Sequence, residues 1–285
     1  MLYRNIAVLL TCYNRREITI NCLTSLYRQK LSQDILLDVY LVDDGSTDGT
    51  AQAISQQFPN VKIITGNGNL YWSGGMRLAW TEAGKSNHDA YLWLNDDTLL
   101  ESDAIAILLQ TTTNISKNEG CNGIIVGSCC DPNSGEQTYG GRLKSTQNFI
   151  SPSDRPQKCD LMNGNIVLVP GCVFQVVGNI SPEYIHLGGD NDYGQRAIKA
   201  GFNLWVAPGY LGKCESHTYI PWADPAIPLR ERLRFLYSPK GQHPYEVYIY
   251  ARRHNGFLWP MDLVKLYLRV LFPRFYQRIK QLMKT

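Results

Sequence analysis

The sequence lacks any stretch of about 18 uninterrupted apolar residues, so no segment is predicted to cross a membrane as a helix. None of its eight cysteines forms a Cys-x-x-Cys pair, which removes the usual zinc-ribbon and dithiol motifs. Their scatter does not resemble a disulfide framework either, and reduced thiols are expected. Thr11–Arg16, after the first apolar run, contains no glycine, so there is no Gly-rich phosphate loop at that position. Internal repeats and low-complexity tracts are absent too. The opening MLYRNIAVLL is too short an apolar run for a secretory signal and is followed at once by polar TCYNRRE, so a cytoplasmic location is expected.

What the chain has is ordinary globular composition, with 44% hydrophobic and 19% charged residues over 285 positions. A formal charge of +3 conceals a division. From Leu229 to the end there are 12 Lys/Arg and 3 Asp/Glu, against 16 basic and 22 acidic residues before it. An acidic body is joined to a basic tail.

Apolar runs at Ile6–Leu10, Leu36–Val42, Val61–Ile64 and Tyr91–Leu94 read as strands. Helical spacing at Arg16–Gln29, Thr47–Gln57 and Gly74–Ala83 separates them. That alternation predicts right-handed βαβ units, an α/β fold and a mainly parallel sheet. A helix over Asp103–Ile115, strands at Gly123–Cys130, Ile166–Val169 and Leu204–Val206, and a helix over Asp190–Ala200 follow. Residues 131–160 read as a loop with a hairpin. In such sheets ligands bind beyond the carboxyl ends of the strands. Three polar clusters, Thr11–Arg15, Asp43–Ser46 and Asn95–Asp97, each follow a strand, so they are expected to line one edge.

The chemistry at that edge is acidic. A carboxylate at Asp43 can accept an N–H from a uracil or thymine ring, with Asp44 capping the turn; a plain Asx turn is the competing reading. Asp96 and Asp97 at the end of a buried strand repel each other unless a cation joins them, and a hard divalent ion completed by diphosphate oxygens suits such a pair. Asp190 and Asp192 open a helix. Either caps it, or one of them takes a proton from a hydroxyl; the two cannot share one helical face, and Arg196 is one turn from Asp192. His217, beyond the last strand, would suit Mn²⁺ better than Ca²⁺.

Together the motifs Thr11-Cys12-Tyr13-Asn14-Arg15, Val42-Asp43-Asp44-Gly45-Ser46-Thr47-Asp48, Leu94-Asn95-Asp96-Asp97-Thr98 and Gly189-Asp190-Asn191-Asp192-Tyr193-Gly194-Gln195-Arg196-Ala197 resemble the family 2 glycosyltransferases of the GT-A fold. Gly68–Gly75 (GNLYWSGG) is similar to the bacterial rhamnosyl- and galactofuranosyltransferase subgroup. The resemblance covers roughly Ile6 to His217. It implies a Rossmann-like sheet flanked by helices over 1–219, with a nucleotide-binding half (1–100) and an acceptor and catalytic half (101–219). A basic, largely helical extension (220–285) follows. It implies that Thr11, Tyr13, Arg15 and Asp43 contact the nucleotide and that Asn69 and Arg77 lie near the donor. Asp97 would hold Mn²⁺ or Mg²⁺, with Asp96 nearby and His217 as a distal ligand. Asp190 would be the general base and Asp192 a supporting acid. Two positions depart from the pattern: Asn95 stands for the first acid of the DxD-like motif and would contact ribose, and Gly189 stands where the family often has Glu. A QxxRW signature is missing, which points to single-sugar addition.

The implied activity is inverting transfer of a sugar from a UDP- or dTDP-linked donor to a hydroxyl of a glycan or lipid-linked glycan, in polysaccharide biosynthesis. A sugar nucleotidyltransferase and an inert nucleotide-sugar-binding subunit are the alternatives. In the tail, Leu263, Leu266, Tyr267, Val270 and Leu271 form an apolar stripe beside Lys265, Arg269, Arg274, Arg278 and Lys280. This suits peripheral attachment to an anionic membrane, or a helix packed on the body or in a homo-oligomer. Nucleic acid is not indicated, since no reading motif accompanies the charge.

Overall fold

Ile6 to Leu10 are fully buried, as expected of residues that cannot alternate between core and solvent, and they form the middle of strand β1 (Asn5–Cys12). The structure is a computed structural model describing residues 3–120, 123–216 and 220–282. After β1 come α1 (Arg16–Tyr27), β2 (Leu36–Asp43), α2 (Thr50–Gln57), β3 (Lys62–Thr65), α3 (Tyr71–Ala83) and β4 (Ala90–Leu94). Then follow β5 (Leu99–Leu100), α4 (Ala104–Glu119), β6 (Gly123–Cys130), and four short strands, β7 (Gln137–Tyr139), β8 (Gly141–Arg142), β9 (Gln157–Cys159) and β10 (Leu161–Met162). β11 (Ile166–Pro170), α5 (Gly171–Val177), α6 (Gly189–Lys199) and β12 (Asn203–Lys213) complete this part. The rest is helical: α7 (Leu229–Leu236), α8 (Pro244–His254), α9 (Trp259–Leu271) and α10 (Pro273–Leu282). Two compact units result, residues 1–182 with 189–216, and residues 183–188 with 217–285.

The main sheet of the first unit runs β3-β2-β1-β4-β11-β6-β12-β5. Its first four strands are parallel, as are β6 and β12, whereas β11 runs antiparallel to both β4 and β6. Alternate residues of each strand feed two cores. Ile6, Val8 and Leu10 pack with Leu23 and Leu26 of α1 and Leu108 of α4, while Ala7 and Leu9 pack with Met76 and Trp80 of α3. Around Trp80 lie Tyr91, Trp93, Phe174 and Tyr193, with ring centroids 4.9–5.5 Å apart.

Several boundaries differ from the sequence reading. The helix expected at Thr47 starts at Thr50, because Gly45 and Gly49 take positive φ and Asp48 accepts N–H bonds from Arg16 and Thr50. Strand β12 extends to Lys213 past register shifts at Tyr210 and Gly212. Of the cysteines, 12, 22, 129, 130, 159 and 214 are free thiols, as expected, but Cys172 is disulfide-bonded.

In the second unit, Trp222, Leu236, Leu266 and Val270 are buried together, and Leu233, Val247 and Tyr267 pack against them. Part of the apolar stripe read from the tail is packed, one of the two alternatives left open for it, while Leu271 is exposed. Leu266, Tyr267 and Val270 face a small core of this unit, so they are not available to lipid. No helix among the described residues is long and apolar enough to cross a membrane.

Candidate active site

The ends of β1, β2 and β4 bring three loops to one edge of the sheet, because the strands are in parallel register (Cys12 pairs with Asp43, Leu9 with Trp93). The first two loops are laced together: Asn14, at φ +49°, donates its backbone N–H to Ser46 Oγ (2.8 Å), and its side-chain oxygen accepts the Thr47 N–H (2.7 Å). Thr11 lies half-buried under the Gly75 backbone of α3, where a Cβ would collide with it, and Tyr13 is exposed.

The adjacent carboxylates of Asp43 and Asp44 have separate fates. Asp43 is buried and accepts one N–H, from Ser46 (2.8 Å). Asp44 is also buried, but its oxygens accept three, from Gly68 (2.8 Å), Leu70 (2.8 Å) and Tyr71 (3.0 Å). It closes the start of α3 from a distant loop, which is why that helix begins at Tyr71 rather than at Gly74. Asn69, in the closed loop, is exposed; Arg77, on α3, donates to the Ser181 carbonyl (3.2 Å).

Beyond β4, one Arg15 nitrogen bridges the second acidic pair, at 3.1 Å from Asp96 Oδ1 and 3.0 Å from Asp97 Oδ2. Sequence reasoning placed Arg15 at the nucleotide; its guanidinium also neutralises the two acids. Burial pushes the Asp96 carboxyl up to about 7; Arg15 opposes the rise and Asp97 adds to it. Asp97 Oδ1 accepts from the Cys214 thiol (3.5 Å), which burial and Asp97 hold protonated by raising its pKa to about 12. Asn95 Oδ1 accepts the indole N–H of Trp72 (2.7 Å).

No three His, Cys, Asp or Glu side chains cluster as a metal cage among the described residues, and His217 lies outside them. Two carboxylates are nevertheless what a Mg²⁺- or Mn²⁺-like ion takes from protein when phosphate oxygens and water supply the rest. The site already accommodates positive charge, in the form of the Arg15 guanidinium. The donor set fits such a cation.

Asp190 is reached from the same edge. The Asn95 N–H bonds the Asn165 carbonyl (3.0 Å), and the N–H of the preceding residue, Gly164, bonds Asp190 Oδ2 (3.2 Å). Oδ1 accepts from the Asn191 backbone (2.7 Å) and side chain (3.1 Å), and Asn191 in turn accepts from Arg142 (3.2 Å). Burial raises the Asp190 pKa; the backbone donors and Arg142 restrain the rise. Asp192, wholly buried, receives Arg196 Nε at 2.8 Å, and the same guanidinium donates to the Val177 and Asn179 carbonyls. Its carboxylate thus ties α6 to the chain after α5. A Cβ at Gly189 would sit 2.6 Å from Ser73 Oγ, which accounts for glycine there.

Sequence reasoning missed Trp72, Arg142, Gly164 and Cys214. Trp72 lay within a quoted motif without a role, Arg142 fell in a segment read as loop, and the contacts of all four span 20 or more positions.

The family model for glycosyl transferase family 2 matches residues 7–152. Curated relatives include the N-acetylglucosaminyl-diphospho-decaprenol L-rhamnosyltransferase of two Mycobacterium tuberculosis strains, 24% identical over 253 residues, with 77% of this chain and 76% of the relative covered. Among solved structures, a mannosyltransferase from Pyrobaculum calidifontis in complex with GDP-Man and Mn²⁺ superposes with a TM-score of 0.58 at 16% identity, covering 93% of this chain and 70% of that one. GalNAc-T7 with UDP, GalNAc and Mn²⁺ gives a TM-score of 0.57 at 14% identity, covering 88% and 50%. With the family match spanning just over half its length, and with this sheet and these flanking helices, the chain belongs to glycosyl transferase family 2 and is a glycosyltransferase of the GT-A fold.

Proposed function

We propose that the chain transfers a single sugar, with inversion, from a UDP- or dTDP-linked donor to a hydroxyl of a lipid-linked glycan. The observation that supports this most is the hydrogen-bonded run from Asn95 through Asn165 and Gly164 to Asp190, which joins a paired-carboxylate site to a half-buried carboxylate. In this reading Asp43 accepts the N–H of the base, and Thr11, Tyr13 and Asn69 border the nucleotide. Asp97, with Asp96 beside it, would hold a divalent cation, Mn²⁺ or Mg²⁺, whose charge offsets that of the leaving diphosphate. Asp190 removes the acceptor proton as the hydroxyl attacks the face opposite the leaving group, which inverts the anomeric centre. Its backbone and Asn191 donors orient the carboxylate, and Asp192 supports it by fixing α6 through Arg196. Residues 1–100 then serve the nucleotide, 101–219 the acceptor, and 220–285 form an extension.

The L-rhamnosyl transfer to N-acetylglucosaminyl-diphospho-decaprenol named for the mycobacterial relatives makes an activated deoxyhexose and a polyprenyl-diphosphate N-acetylglucosamine the first pair to assay. Such an acceptor resides at a membrane, and we place the protein peripherally on the cytoplasmic face.

The test is nucleoside diphosphate release from candidate nucleotide sugars with Mn²⁺, with and without acceptor. Acceptor-dependent release is expected, and Asp190→Asn should lower it by about 10²–10⁴-fold while donor binding persists. Near-normal turnover by that variant would remove Asp190 from the role. Pyrophosphate exchange would indicate a nucleotidyltransferase instead, and donor binding without any release an inert subunit.

A further inference from the structure

Helix α9 has two apolar faces, and only one of them is packed. Leu266 and Val270 enter the small core with Trp222 and Leu236. Away from it, Met261, Val264 and Leu271 recur at intervals that return to one side of the helix, and all three are exposed; Phe257, completely exposed, lies in the 3-10 turn Gly256–Leu258 that leads into α9. Leu258 and, in α10, Phe275 are exposed as well. Single exposed hydrophobics are commonplace, but a row about 15 Å long along the helix, at 1.5 Å per residue, extended by Phe257 and Leu258, marks an interaction surface.

The charge around the row indicates what covers it. Lys265, Arg274 and Arg278 are exposed beside it. The acids of this region are engaged with protein partners: Glu246 accepts the Ile185 N–H (3.0 Å), Asp262 accepts from the Asn255 side chain (2.6 Å), and Glu231 lies 3.8 Å from Arg234. Trp259 stands beside Phe257 with Tyr248 edge-on to it (5.3 Å), a pairing of amphipathic rings suited to an interface between water and hydrocarbon. A second copy of the chain is a poor occupant, since a two-fold contact would bring two strongly basic segments together. An anionic lipid surface meets both the apolar row and its basic border.

We propose that α9 and the turn leading into it lie in the plane of an anionic bilayer surface, with Phe257, Leu258, Met261 and Val264 sunk among the acyl chains and Lys265 and, from α10, Arg274 at the headgroups. This deepens the reading of a lipid-linked acceptor and rests on it for its purpose. The binding itself is measured without donor or acceptor, so its failure would leave the transferase assignment standing.

The experiment is flotation of the full-length chain with vesicles of phosphatidylglycerol and phosphatidylcholine, and with phosphatidylcholine alone. The wild type should float with the anionic vesicles and be released progressively by salt. The double variant Phe257→Asp/Met261→Asp should lose about a hundredfold in partition coefficient. Its melting temperature and its transfer to a water-soluble acceptor should match wild type, because both positions face solvent. Lys265→Glu/Arg274→Glu should weaken binding and flatten its salt dependence. Equal flotation of the apolar double variant and wild type, or no flotation of wild type, overturns the proposal. A wild-type dimer in light scattering that the apolar double variant dissolves would overturn it too, and would assign the row to self-association.

Discussion

Replacing Asp44 by alanine tests the division of labour between the two adjacent acids at the end of β2. Asp44 is buried, and its carboxylate holds three backbone N–H groups at 2.8–3.0 Å, with Gly66 so close that a Cβ there would lie 2.6 Å from Oδ1. Bonds to a charged acceptor contribute about 1.5–3 kcal/mol each, but a surface loop released from its anchor recovers part of that from water. A net loss of about 3–5 kcal/mol is expected, near the upper end for a single substitution. For a unit of this size it corresponds to a fall in Tm of about 10 °C. Asp43→Asn should behave differently. Only the Ser46 N–H depends on Asp43, an amide oxygen can still accept it, and stability should change by less than about 1 kcal/mol. Its UDP or dTDP affinity should instead fall about tenfold or more, since a charged acceptor for the base is lost. Urea denaturation and nucleotide titration calorimetry on both variants read the two quantities separately. If Asp44→Ala kept its stability and lost nucleotide affinity, the loop-anchoring account would be wrong and Asp44 would be a ligand contact.

Because Asp190 must be ionised to accept a proton and burial raises its pKa, the acid limb of kcat should lie above the ordinary aspartate value of about 4; a limb at or below that value would refute the assignment. Arg142→Gln should move the limb higher, since Arg142 favours the charged form. A raised folded-state pKa adds stability that is fully present below the unfolded value and is lost as pH rises through the folded one. Asp190→Asn should therefore be at least as stable as wild type at neutral pH, by thermal melts across pH. Asp97→Ala should abolish the Mn²⁺-dependent part of nucleotide binding, measured by calorimetry with and without chelator; unchanged affinity in the presence of metal would count against Asp97 as a ligand.

The central strands were legible because a parallel strand buried on both faces must be apolar throughout, as Ile6–Leu10 and Tyr91–Leu94 are. The convergence of their three following loops came from that periodicity, and Arg196 could be paired with Asp192 from spacing alone. Distant partners were not legible. Nothing local announces that Asp44 caps a helix 27 positions later, that Arg15 spans Asp96 and Asp97, or that Trp72 engages Asn95. In the tail, periodicity revealed an apolar helix but could not tell which of its sides met a core, because α9 is apolar on two sides.

The reversed strand β11 has a chemical consequence. Running against β4, it pairs Ile166 with Leu94 at the loop-bearing edge and Pro170 with Ala90 at the opposite one. The edge therefore receives an incoming chain among outgoing ones, and with it the Gly164 amide as a donor to Asp190. Had β11 followed the direction of its neighbour, Ile166 and the Gly164 amide before it would lie at the opposite edge, away from the loops.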